Sequence, residues 1–330
     1  MVRRNARLLI SALVVLTFLY YLFKDDGDKS NSTDSLNGLH TRHLDEDAGE
    51  DSFDYDKVNQ TEEDYGPEDK TKKKRFPTVL IIGSQKSGTT SLLKFLLFHP
   101  TLVGPHRELH YFDKQANGKN YELYLRQMPK SWQHQITIEK TPNYLTKVES
   151  AERVLKYQQH LGVDLKLILI VRDPIRRSIS HAFHTKAHHR IDLKNLTSEV
   201  IADNSIYRRS SLYGEHFQRW LNYFRRDQFL ILDGEKFAKE NPTSTLRQVE
   251  DFLGIMHMFK EDDFGFNEDK GFYCYNPTDY CFPKHRGHSS YPQKLTPAGK
   301  KILTGVFEKD LEKFWHLSGV NYNWVLGADV

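Results

Sequence analysis

An α/β fold built around a buried parallel β-sheet is predicted by three observations. Short Val/Ile/Leu runs recur along the chain, a turn follows each of them, and each turn leads into helical spacing. TVLIIG precedes TTSLLKFLLFH, LKLILIVRDP precedes IRRSISHAFHTKAHH, and QFLILDG precedes EKFAKENPTSTLRQVEDFLG. Strands that are apolar throughout need cover on both faces, which helices flanking a parallel sheet provide. Ligands of such folds bind at the carboxyl ends of the strands, where these turns lie.

The sheet does not begin at once. Arg3, Arg4 and Arg7 fall in a short tail, residues 1–7, ahead of LLISALVVLTFLYYLF at residues 8–23. That run is near the lower length limit for a bilayer span and suits a thin membrane. A cleaved signal peptide is the alternative, but the following KDDGDKS offers no small-x-small cleavage site. Arginines before the span keep the N-terminus cytosolic and place the rest in the lumen, as in a single-pass type II anchor. Residues 24–74 read as an acidic, disordered stem. Between 24 and 70 there are 16 acidic and 5 basic residues with few aliphatics, too little apolar surface to offset ordering entropy. Asn31, Asn59 and Asn195 stand in glycosylation sequons, in keeping with a luminal address.

Residues 75–330 are read as one folded domain. The chain as a whole carries +3, but the acidic stem masks a net charge of about +11 on residues 71–330. Such an excess attracts polyanions. Nucleic acid would be the partner in the cytosol, whereas the secretory lumen supplies sulfated and uronic-acid polysaccharides. The bland reading is a generally basic surface. Only two cysteines occur, Cys274 and Cys281. In an oxidising lumen they should pair and close a short hairpin-like loop, stabilising it by about 2–3 kcal/mol. Further on, Thr243 to Gly254 is punctuated as a helix and Leu295 to Phe314 reads as a terminal one.

The first turn, GSQKSGTT at 83–90, carries the chemistry. Strand, glycine-rich turn and helix together form an anion site, because turn amides and the helix N-terminus point at one place. Lys86 adds a charge; Thr89 and Thr90 add hydroxyls. A nucleoside triphosphatase is one reading, with Asp233 at the end of FLILDG as its metal-binding aspartate. That chemistry wants a lysine directly after the second glycine, where Thr89 stands. A purely structural turn is the other alternative. His184 and His188 are spaced for one helix face, yet the chain has no H-E-x-x-H and the sequence marks out no clear third ligand, so no metal is expected.

GSQKSGTT and VRDPIRRSIS resemble the two nucleotide signatures of sulfotransferases, which use 3′-phosphoadenosine 5′-phosphosulfate (PAPS). The resemblance implies that Lys86, Ser87, Gly88, Thr89 and Thr90 hold the 5′-phosphosulfate, and that Arg172 and Ser180 hold the 3′-phosphate. The donor has no γ-phosphate and needs no metal bridge, so the lysine can stand further back. RELHYFD, MPKSWQHQITIEKTPNYL, SLYGEHFQRWLNYF and KGFYC…C…KHRGH are similar to the heparan sulfate glucosamine 3-O-sulfotransferases, from about residue 76 to 324. An anchor followed by a stem is also that family's layout, with a Golgi address.

By this resemblance Glu108 is the general base, Lys86 neutralises the leaving oxygen, and His110 and Lys140 complete the catalytic group. Arg107, Asp113, Thr141, Pro142 and Asn143 fall with Glu108, His110 and Lys140 where the family contacts its acceptor. Tyr273 and the segment Lys284, His285, Arg286, Gly287 and His288 match the loop closing over the nucleotide. In the 3-O family the first loop usually reads R-K-G-G-T-R, whereas Gln85, Ser87 and Thr90 stand here. QKSGTT is instead similar to the heparan sulfate N-sulfotransferase domain, as are the positions of His184 and His188. An amine or another hydroxyl is thus an alternative acceptor, and a silent glycan-binding protein is the non-enzyme alternative.

Overall fold

The computed structural model describes residues 71–114, 120–189, 200, 205–282 and 295–328. The anchor, most of the stem, Asn31, Asn59, Asn195 and the segment Lys284–His288 lie outside them. No helix among the described residues is long and apolar enough to cross a membrane.

In chain order the elements are β1 (Lys73–Lys74), β2 (Val79–Gly83), α1 (Thr89–Leu96), β3 (Leu102–Val103), α2 (Tyr111–Lys114), α3 (Tyr121–Leu125), β4 (Lys130–Ser131) and β5 (Ile136–Lys140). Then come α4 (Ser150–Leu161), β6 (Lys166–Val171), α5 (Pro174–His189), α6 (Ile206–Arg209), α7 (Tyr213–Leu221) and β7 (Phe229–Asp233). Finally α8 (Gly234–Lys239), α9 (Thr243–Leu253), β8 (Phe264–Asn267), β9 (Phe272–Tyr275) and α10 (Pro297–Ser318) follow. The predicted parallel sheet is present, in the order β3-β5-β2-β6-β7 with every pairing parallel.

Its strands are apolar throughout because both faces are covered. Val79 and Ile81 point into one core with Leu92, Phe95 and Ile170; Leu80 and Ile82 point into the other with Tyr144, Phe217 and Leu169. Alternate residues of a strand face opposite sides, so one run feeds two cores. From β2 the chain builds β3 and β5 on one side, then β6 and β7 on the other. The carboxyl end of β2 is therefore the topological switch point, where α/β sheets bind ligands.

Three expectations shift. β1 pairs antiparallel with β4, so the folded region begins inside the segment read as stem. The terminal helix runs Pro297–Ser318 rather than Leu295 to Phe314, because the Thr296 hydroxyl caps it by accepting from Gly299 N at 3.1 Å. Asp233, read as a metal-binding aspartate in the triphosphatase alternative, caps α8: it accepts from Glu235 N at 2.9 Å and Trp324 Nε1 at 3.2 Å. Cys274 and Cys281 are bonded across the turn after β9, where Tyr275 bridges Tyr280.

Candidate active site

The loop Ser84–Gly88 leaves β2 at the switch point and enters α1. Gly88 turns into the helix at φ 100°, a conformation that side chains rarely adopt. Lys86 is also left-handed, at φ 68°, without being glycine. A lysine held there is an unusual backbone state that its surroundings must maintain. They do so through two arginines. Arg172 donates NH1 to Lys86 O at 3.3 Å, and fully buried Arg177 donates NH1 to Gln85 O at 3.2 Å. Arg177 is itself locked by Ser211 Oγ at 2.5 Å and Tyr207 O at 2.6 Å. Burial, offset in part by Tyr213 and aided by Arg172, pushes its guanidinium down to about 10. The Ser84 and Ser87 hydroxyls lie 2.6 Å apart beneath the loop.

Beside Arg177 on α5 stands His181, buried, its Nδ1 without a hydrogen-bond partner among the described residues. Burial first, then the charges of Arg177, His184 and Lys86, push it down to about 3. The loop and α5 thus enclose a region of concentrated positive potential, suited to an anion.

A second cluster lies across α1. Glu108 accepts from Lys140 Nζ through Oε1 at 2.6 Å, and its Oε2 lies 3.3 Å from His110 Nε2. His110 Nδ1 in turn meets Asp113 Oδ2 at 2.8 Å. Burial alone would lower His110, but its bonds to Asp113 and Glu108 outweigh it and hold the imidazole at about 9. Glu108 therefore has a cation on each oxygen. Lys140 Nζ also donates to Thr90 Oγ1 at 3.1 Å, in the first turn of α1. The carboxylate and the phosphate-type loop are parts of one site.

A fully buried carboxylate, Glu139, supports this cluster from below. It accepts from Thr141 Oγ1 at 2.5 Å and Tyr124 OH at 3.2 Å. With its proton committed, Thr141 Oγ1 accepts from Leu109 N at 3.2 Å and His110 N at 3.3 Å. That pins His110 at φ 52°, a second left-handed non-glycine residue at the site. Burial pushes Glu139 up to about 7, against the hydrogen bonds of Thr141, Tyr144 and Tyr124.

Of the predicted residues, Thr90, Glu108, His110, Asp113, Lys140 and Thr141 form one bonded network. Lys86, Ser87, Gly88, Thr89 and Arg172 line the adjoining loop and its support, while Pro142 and Asn143 sit in a single 3-10 turn after β5. Arg172 is buried and engaged with Glu235 Oε1 at 2.9 Å, and Ser180 is half-buried on α5. Arg107 points away from the cluster, to Gln127 Oε1 at 2.8 Å. Tyr273 is on the β8–β9 hairpin with its ring edge-on to Phe266, apart from the network. Sequence reasoning missed Arg177, Glu139 and Glu235. The spacing of Arg177 from Asp173 in VRDPIRR, four residues on a helix, and the acid inside the apolar strand ITIEK, were the available signals.

Comparison with known proteins gives the family. The sulfotransferase domain family matches residues 76–314. Human heparan sulfate glucosamine 3-O-sulfotransferase 5 is 33% identical over 264 residues, 76% of this chain and 74% of that protein. Mouse heparan sulfate glucosamine 3-O-sulfotransferase 3A1 is 30% identical over 265 residues, 76% of this chain and 65% of that one. A solved sulfotransferase from Alicyclobacillus acidocaldarius shares the fold, with TM-score 0.54, 20% identity, and coverage of 75% and 97%. The chain is a sulfotransferase. More narrowly, it belongs to the heparan sulfate glucosamine 3-O-sulfotransferase family.

Proposed function

We propose that this protein transfers the sulfuryl group of PAPS to the 3-hydroxyl of a glucosamine in heparan sulfate. One observation carries the reading: Glu108 is held by Lys140, and Lys140 also holds Thr90 at the mouth of the anion loop. A proton acceptor and an anion cradle thus adjoin, as in-line group transfer requires. The relatives, which are named as 3-O-sulfotransferases of glucosamine, support the acceptor and its position.

The residues of the loop fit a nucleotide bearing phosphate and sulfate groups. Gly88 keeps the backbone open, Lys86, Thr89, Thr90 and Arg172 are all donors, and the unpartnered His181 Nδ1 lies alongside. PAPS supplies the activated sulfuryl group. Glu108 accepts the proton of the sugar hydroxyl, a poor nucleophile at neutral pH without a base. His110 and Lys140 hold the carboxylate in place, and Asp113 fixes the ring of His110. Lys86 balances the charge that develops on the leaving oxygen. Arg172 and Ser180 take the 3′-phosphate, and Tyr273 with Lys284–His288 covers the nucleotide. No step calls for a metal.

The same reading includes the arginine-flanked run at 8–23 as a signal anchor, with the folded domain in the Golgi lumen behind the acidic stem. Retention of Glu108, Lys86 and Lys140 together disfavours a silent binder. The test supplies the full-length protein with sulfur-labelled PAPS and with heparosan, N-sulfated heparosan and heparan sulfate. Disaccharide analysis is expected to place the label on the glucosamine 3-hydroxyl. Label on nitrogen would favour the N-sulfotransferase alternative suggested by Gln85, Ser87 and Thr90.

A further inference from the structure

Glu235 takes no part in the reaction above, yet its carboxylate lies among three cations beside the loop. It is buried in the first turn of α8. Arg172 Nε donates to its Oε1 at 2.9 Å. Its Oε2 lies 3.0 Å from Arg176 NH1 and 3.8 Å from Lys239 Nζ. A buried arginine ordinarily needs a counter-charge, and any nearby carboxylate supplies one. Here two features ask for more than charge.

First, the backbone fixes where the carboxylate stands. Gly234 lets α8 start so close to the loop that a Cβ there would lie 2.7 Å from Ser87 O. Glu235 N donates to Asp233 Oδ1 at 2.9 Å, which settles the first turn. Second, the guanidinium of Arg172 is pinned at two points. Nε is taken by Glu235 and NH1 by Lys86 O at 3.3 Å, whereas NH2 makes no hydrogen bond among the described residues. One arginine thus ties α8 to the left-handed Lys86 and keeps one nitrogen in reserve. A planar fork held in this way meets a phosphate oxygen without first giving up its rotamer freedom.

We infer that Glu235 is a positioning residue of the nucleotide site: its reach to Arg172 Nε, rather than its charge, aims the guanidinium at the 3′-phosphate. The inference rests on the proposed role of Arg172 and adds what makes that arginine ready. Its consequence is a preference for nucleotides bearing a 3′-phosphate that depends on the length of the side chain at position 235. Arginine and phosphate meet through charge-assisted hydrogen bonds, whose strength depends on that aim.

The test measures calorimetric affinities of the full-length protein for adenosine 3′,5′-bisphosphate and adenosine 5′-phosphate, which differ only in the 3′-phosphate. Glu235→Asp keeps the charge but falls one methylene short of Arg172. Glu235→Gln gives up the charge but keeps the reach and an oxygen for Arg172 Nε. The aspartate variant should lose about tenfold of the preference for the bisphosphate, the scale of one charge-assisted contact. The glutamine variant should keep that preference within about threefold of the unaltered protein. Adenosine 5′-phosphate should bind all of them nearly equally, because Arg177 still braces the loop at Gln85 O. The reverse ranking, with aspartate retaining the preference and glutamine losing it, makes Glu235 a counter-charge and overturns the inference. So does a preference unchanged in both or lost equally in both, and so does an aspartate variant that weakens both nucleotides alike. If the aspartate variant does not fold, Glu235→Ala takes its place against glutamine, since the two then differ in reach and not in charge. No preference for the bisphosphate in the unaltered protein overturns the proposed role of Arg172 and this inference with it. The variant outcomes overturn the inference alone, so the two failures are told apart.

Discussion

Lys140 donates to Glu108 Oε1 at 2.6 Å from a side chain only 2% exposed, and the same ammonium reaches Thr90 at 3.1 Å. One buried cation thus sets both where this carboxylate points and how it meets the loop before α1. Removing the proposed base should separate binding from turnover. Glu108→Gln is expected to lower kcat by about 10²–10⁴-fold, the range general bases contribute. Its dissociation constant for adenosine 3′,5′-bisphosphate should remain within threefold, measured by calorimetry. Retained turnover would assign the proton to another group.

On the proposed mechanism, His110 sets an alkaline limit. Its folded value of about 9 lies above the ordinary 6.5, so the fold holds it as a cation at neutral pH. The stabilisation from that charge is complete below about 6.5 and disappears as pH rises through about 9. Losing the charge withdraws one of the two cations on Glu108. The pH–kcat profile should therefore bend downward near 9, and His110→Gln should lower kcat while removing that bend. A bend that survives the substitution belongs to a different residue.

The Thr141 hydroxyl joins a buried carboxylate to the backbone of the base loop. Thr141→Val deletes its donation to Glu139 and its acceptance from Leu109 N and His110 N. Loss of a hydrogen bond to a charged buried partner costs about 1.5–3 kcal/mol. The expected result is a kcat reduced tenfold or more, because His110 is no longer held in its left-handed state. Thr141→Ser should restore most of it. If valine and serine behave alike, the hydroxyl does not position the loop.

Acid should destabilise the protein through histidines that the fold keeps neutral. His216 is pushed down to about 4 by burial and by Arg219; its Nε2 bonds Arg209 O at 2.9 Å and its Nδ1 accepts from Arg219 NH2 at 3.1 Å. With Nε2 as donor and Nδ1 as acceptor, the neutral ring is fully used. His181 is lowered similarly, to about 3. Below about 6.5 the unfolded chain takes up both protons and the folded one does not, so stability falls with pH. Glu139, raised to about 7, acts in the opposite sense between about 4.5 and 7 and offsets one of the two. The net expectation is a loss of up to about 1.4 kcal/mol per pH unit between 6 and 5, read from urea midpoints. A midpoint independent of pH there would mean that these rings titrate normally.

The fold and the site were legible to different depths. The three strand–turn–helix units could be read because a central parallel strand is apolar at every position, and VLIIG and KLILIV are buried almost end to end. Short local motifs pointed to the loop and to Glu108, which the structure brings together through Lys140. The supports were not legible. Arg177 reaches Gln85 across 92 positions, and Glu139 acts through Thr141 on a loop 31 positions earlier. No periodicity or spacing records such long-range bonds. The β1–β4 ribbon escaped for another reason: two lysines in a basic stretch give no strand pattern, and their pairing depends on a turn more than fifty residues away.

Gly234 offers the sharpest check on how the loop is held. A Cβ there would lie 2.7 Å from Ser87 O and 2.8 Å from Val171 O, both backbone atoms that cannot rotate aside. Gly234→Ala must therefore displace the loop itself or the β6–β7 edge. Overpacking of this kind costs about 1–3 kcal/mol, and here the strain falls on the loop proposed to cradle the anion. Affinity for adenosine 3′,5′-bisphosphate should drop tenfold or more in calorimetry. Gly254→Ala is the control: it sits at φ 70° with nothing within 4 Å, so it adds strain of about 1–2 kcal/mol far from any ligand group. It should lower the urea midpoint to a similar degree while leaving nucleotide affinity unchanged. Equal effects of the two alanines on affinity would show that general destabilisation, not the contact with Ser87, governs binding.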